Sequence, residues 1–97
     1  MTRVNIVFDD VFEDADIISV PDEIISQIEE IGQEFLDWIP NATEEDYWKI
    51  VNGKKYFVAE TDGFIKWLNS HYCSKIEQSY VVARNVKYCS LYKVIEF

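Results

Sequence analysis

Ninety-seven residues, 48% hydrophobic and 15% aromatic with three Gly and two Pro, are too apolar for a disordered chain and too few for two domains. No apolar run approaches the ~18 residues of a membrane span, and the N-terminal MTRVNIVFDD lacks the apolar stretch of a signal peptide, so one cytoplasmic domain over residues 1–97 is expected, with no membrane partner. The net charge of −9 opposes binding to nucleic acid and is unevenly placed: residues 1–46 hold fourteen acids and one base, Arg3, and residues 47–97 four acids and eight bases.

Residues 3–8, RVNIVF, alternate apolar and polar positions, with Val4, Ile6 and Phe8 on one side, which predicts a strand. An acidic stretch covers residues 9–16, and DIISV at 16–20 suits a second short strand. From Pro21 to Ile39 the pattern is that of an amphipathic helix of about five turns: Ile24, Ile28, Ile31, Phe35 and Trp38 recur at spacings of four and three. Pro21 fits the first helical position, and Asp22 and Glu23 fall where carboxylates oppose the positive helix end. Gly32 in mid-helix costs about 1 kcal/mol against Ala, which suggests that another element approaches it closely. Pro40 ends the helix.

After the polar loop 41–46, YWKIV and KKYFVAE flank Asn52-Gly53, the strongest two-residue hairpin signal, and a type I′ turn there sets Trp48 opposite Phe57. Thr61 is a credible N-cap for a second helix over about 62–71, with Phe64, Ile65, Leu68 and Tyr72 as its buried stripe. The stretch 78–97 is rich in Val, Tyr and Ile and reads as one long or two short strands. The sum is an α+β fold: a small two-layer sandwich of a mainly antiparallel sheet of four or five strands with two helices on one face. An edge strand that pairs between subunits leaves a homodimer open.

The sequence FDDVFEDADIISVPDE carries seven carboxylates and no base. Its spacing fails an EF-hand, because no choice of start puts Gly at position six, and nothing encloses its carboxylates for acid–base catalysis. Asp22 and Glu23 are accounted for by the helix start, which leaves Asp9, Asp10, Glu13, Asp14 and Asp16 as a solvated turn or the rim of a binding face. Glu44, Glu45 and Asp46 are candidates for the same face, with Tyr47 or Trp48 as a hydrophobic centre. His71 and Cys73, two apart at a helix C-terminus, are badly placed for a thiolate nucleophile, and His71 there suits a favourable cation or a carbonyl partner. Cys73 and Cys89 fit no zinc spacing and are expected to be reduced thiols. No catalytic residue, metal or cofactor is expected.

The stretch ADIISVPDEI, a helix closing in EFLDWI, and then DYWKIVNGKKYFVAETDGFIKWLN together resemble the immunity proteins of bacterial contact-dependent growth inhibition (polymorphic toxin) systems. The resemblance covers about residues 15–70 and rests on the order of elements. It implies a non-enzymatic antitoxin that binds and neutralises a cognate toxin domain, commonly a nuclease with a basic substrate groove. An acidic surface suits such a partner on charge grounds alone. The alternatives are a nucleic-acid-mimic inhibitor of the anti-restriction or anti-CRISPR type, which the net basic second half disfavours, and a small metal-binding module.

Overall fold

The computed structural model describes residues 1–8 and 14–97. Its elements in chain order are β1 (Thr2–Val7), β2 (Asp14–Val20), a 310 turn (Asp22–Gln27), α1 (Ile28–Trp38), β3 (Trp48–Val51), β4 (Lys54–Phe57), α2 (Thr61–His71), β5 (Tyr80–Lys87) and β6 (Lys93–Glu96), with single 310 turns at Ile39–Asn41 and Glu45–Tyr47. Four strands form one mixed sheet in the order β5-β2-β1-β6: β2 runs antiparallel to both neighbours, and β1 pairs in parallel with β6. The α+β class therefore holds. The β3–β4 hairpin, however, forms its own two-stranded sheet and does not extend the main one.

One face of the sheet presents Val4, Ile6, Ile18, Val20 and Ile95 to the helices. The helix stripe answers with Ile24, Ile28, Ile31 and Phe35, all buried, so the four-three spacing read from the sequence places the core up to Phe35, while Trp38, the last of the expected stripe, is only half-buried. Phe35 is the hub of an aromatic cluster. Its ring lies 5.3 Å from Phe64, 5.4 Å from Trp67 and 5.5 Å from Phe97, inside the range for favourable ring pairs. The first third of the expected helix departs from α geometry: Ile24 N–H donates to Pro21 O at 3.2 Å, an i→i+3 bond, and the α-helix starts only after Gln27 at φ −110°. Two β-branched residues and Ser26 in that turn have lower α propensity than the Glu-rich run that follows.

The second face of the sheet is also covered. Val7, Ala15 and Ile17 pack with Tyr88, Tyr92, Val86 and Val94, so β1 is buried at four successive positions. Asn5 pins the covering loop: its Nδ2 donates to Cys89 O at 2.7 Å and Tyr92 O at 3.3 Å, and its Oδ1 accepts from Cys89 N–H at 3.2 Å. A fully buried amide is tolerated because its bonding capacity is largely used. Gly32 does admit a close neighbour: a Cβ there would lie 2.8 Å from Ile95 Cγ2 on β6. Trp67, which the second-helix stripe omitted, is buried with Phe64 and Leu68, and its Nε1–H has no partner among the described residues.

Candidate partner-binding surface

Because α1 turns its isoleucines and Phe35 inward, its remaining positions are forced outward. Glu29, Glu30, Glu34 and Asp37 are exposed, as are Asp22 and Glu23 in the turn before and Glu44 and Glu45 after, and no Lys or Arg lies between Arg3 and Lys49. Some of these acids are engaged within the chain. Asp22 accepts from Thr2 Oγ1 at 2.5 Å and faces the N-terminal ammonium at 3.1 Å, and these contacts hold its carboxyl below the usual range. Glu34 accepts from the Tyr72 hydroxyl, which raises that phenol's pKa because the bond favours its neutral form.

The expected site residues divide into three groups. Asp9, Asp10 and Glu13 lie outside the described residues. Asp14 is exposed on β2 opposite Lys87. Asp16 is half-buried and structural: its carboxylate accepts from Thr61 Oγ1 at 2.5 Å and from Asn85 N–H at 3.0 Å, fastening α2 and a β5 irregularity to β2. Thr61 is accordingly not an N-cap. It is the first residue of α2, and Glu60 precedes it without a side-chain capping bond.

The third group sits together at the foot of the hairpin. Glu44 and Glu45 are exposed, and Asp46 lies in the same 310 turn as Glu45. Tyr47 is 2% exposed, so it braces the surface from beneath, edge-on to Trp38 at 5.1 Å, and offers no anchor. Trp48 is half-buried, and its Nε1 donates to Ala42 O at 2.8 Å, which fixes the indole. It pairs edge-to-face with Phe57 at 5.9 Å, in the register set by Asn52 at φ 52° and Gly53 at φ 78°. Trp48, Ile50, Lys55 and Glu45 line a shallow cleft of about 340 Å³, with the Lys55 ammonium 5.9 Å from the Trp48 ring.

What sequence reasoning missed is how far the hairpin stands clear of the core. Ile50 is 71% exposed, Val51 52%, Tyr56 50% and Phe57 48%, an uncommon density of bare apolar surface for eight strand residues. The signal was present: IV and YF put apolar residues at successive positions, so a two-stranded ribbon must show apolar side chains on both faces. A further groove of about 360 Å³ runs between α1 and the edge strand β6, lined by Glu29, Gly32, Gln33 and Leu36 on α1 and by the stretch 94–96 of β6.

No family model, curated protein or solved structure matches the chain. Among the described residues, no cluster of three or more His, Cys, Asp or Glu side chains is placed to hold a metal, and no helix is long and apolar enough to cross a membrane. His71 Nδ1 lies 2.9 Å from Trp67 O, the carbonyl contact expected at a helix end.

Proposed function

We propose that this chain is a non-enzymatic immunity protein that binds and neutralises a cognate toxin domain, a nuclease with a basic substrate cleft, in the cytoplasm. The observation that carries the reading is the single-sign surface: every acid of residues 22–45 is exposed, and no base interrupts them. Such a surface speeds encounter with a basic cleft and competes with nucleic acid for it. Rim charges set mainly the on-rate, so a tight inhibitor also needs an apolar centre. The cleft of Trp48 and Ile50 beside Glu45 supplies one, with the indole already fixed by its bond to Ala42. The nucleic-acid-mimic alternative stands second, because a mimic spreads carboxylates over most of one face and residues 47–97 are net basic, with four acids and eight bases.

The test is coexpression with the product of the adjacent upstream gene. Copurification, together with rescue of cells from that product, supports the reading. No copurification and no rescue defeats it.

A further inference from the structure

Asn52 and Gly53 form the tip of the β3–β4 hairpin, at φ 52° and 78°. Both are exposed, and a Cβ built on Gly53 would meet nothing within 4 Å. The register pairs Val51 with Lys54, so the Gly53 amide belongs to the turn and to no strand pair. Nothing therefore crowds the Gly53 nitrogen, and the Asn52 carboxamide is on the residue next to it. Asn85 is a comparison within the same chain. It too is exposed and left-handed, at φ 49°, but its own N–H donates to Asp16 at 3.0 Å and Val86 follows it. A β-branched side chain crowds the nitrogen of its own residue, and glycine has none to do so.

We propose that Asn52 is a self-modification site. The Gly53 backbone nitrogen attacks Asn52 Cγ: the N–Cγ bond forms, the Cγ–Nδ2 bond breaks, and Nδ2 leaves as ammonia carrying the proton that the Gly53 amide gave up. One water then opens the cyclic imide. Opening at Cγ gives an aspartate, and opening at the Asn52 backbone carbonyl gives an isoaspartate, whose main chain runs through the former side chain. The attack is intramolecular, which favours it, but it requires the turn to open. The hairpin allows that. A two-stranded ribbon is marginally stable alone in water, and this one is tied to the body near its base, by Val58 N–H to Tyr47 O at 2.9 Å, the Trp48–Ala42 bond and the Lys49–Glu60 pair. The tip opens while those ties hold. Either product sets a new carboxylate beside Lys54 and Lys55. The isoaspartate also adds a methylene to the main chain, so the two-residue type I′ loop no longer closes. The pairing of Trp48 with Phe57 and of Ile50 with Lys55 is then lost, and with it the cleft in which the Lys55 ammonium lies 5.9 Å from the Trp48 ring. The reaction needs this chain and water alone, so it stands apart from any toxin.

Incubation of the full folded chain in mildly alkaline buffer, with tryptic peptide mass mapping over time, tests this. Cleavage after Lys49 and Lys54 isolates residues 50–54. That peptide is expected to gain the mass of OH in place of NH2 and to split into two chromatographic forms, aspartyl and isoaspartyl. Its conversion should run at least about tenfold faster than that of the peptide holding Asn85. Asn52→Gln, which cannot close the same ring, abolishes it, and circular dichroism confirms that this variant is folded. Proton NMR then reads the hairpin: the cross-strand contacts of Trp48 with Phe57 persist in Asn52→Asp, which adds the charge alone, and vanish in the purified isoaspartyl chain. Equal rates at Asn52 and Asn85, or no conversion of residues 50–54, overturns the site. An isoaspartyl chain that keeps the Trp48–Phe57 contacts overturns the loss of register.

Discussion

Asp16 separates a binding residue from a structural one, and the two roles differ in measurable stability. Its carboxylate accepts from Thr61 Oγ1 and from Asn85 N–H. Thr61 is 3% exposed, so in Asp16→Ala its hydroxyl is left buried without that partner. A hydrogen bond to a charged acceptor is worth about 1.5–3 kcal/mol when buried, and the Asn85 bond is solvent-exposed and adds little. The expected loss is therefore about 2 kcal/mol, which for a domain of this size lowers Tm by roughly 8–16 °C. Urea unfolding followed by tryptophan fluorescence should show a lower midpoint with an unchanged slope. Thr61→Val should cost less alone, and the double variant should show a coupling of about 1 kcal/mol, since both changes delete one contact. An Asp16→Ala loss under about 0.5 kcal/mol, the usual range for a plain surface change, would refute the latch and return Asp16 to the binding face.

Asn5→Ala should destabilise by about 2–4 kcal/mol, because it orphans the Cys89 N–H and two carbonyls of the loop over the second sheet face. Hydrogen exchange should show the Cys89 amide losing protection well ahead of β1. Gly32→Ala, stabilising by about 1 kcal/mol at an open helical site, should here cost a net ~1 kcal/mol, as its Cβ meets Ile95; a rise in Tm would contradict the packing. Asp22 has a folded pKa below its unfolded value, so its contribution is present above the unfolded pKa and disappears as pH falls through the folded one. Asp22→Asn, or acetylation of the N-terminus, should flatten that acid limb of the stability profile, whereas an unchanged limb would show the contact to be without effect.

The elements that formed from local rules were legible in the sequence. The α1 stripe, the type I′ turn at Asn52-Gly53 and the close approach at Gly32 each follow from periodicity or backbone stereochemistry within a few residues. What was not legible depended on partners far along the chain. Thr61 looked like a cap until Asp16, 45 positions away, took its hydroxyl. Asn5 looked like the polar side of a half-exposed strand until the loop at Cys89 closed over it. Trp67 sits deeper than its helical pattern suggested, because Phe35 and Trp38 of α1 converge on it beside Phe64 and Tyr72. For the binding surface, charge sign was readable, but depth was not: Tyr47 and Trp48 are adjacent, and only the second reaches solvent.

The parallel pairing of β1 with β6 sets the order of events in folding. Val4 pairs with Lys93 and Ile6 with Ile95, so contacts across nearly the whole described chain complete the sheet. Closing so long a loop carries an entropic cost that local contacts cannot repay in advance. On a ribosome, β1 and β2 can pair early, but the groove side of β1 stays bare until residues 93–96 emerge. The chain therefore passes through a stage in which a strongly apolar strand edge is synthesised and unprotected. The acids of residues 22–45, with no Lys or Arg among them, are synthesised before that edge is covered, and like charge of this kind opposes association between nascent chains.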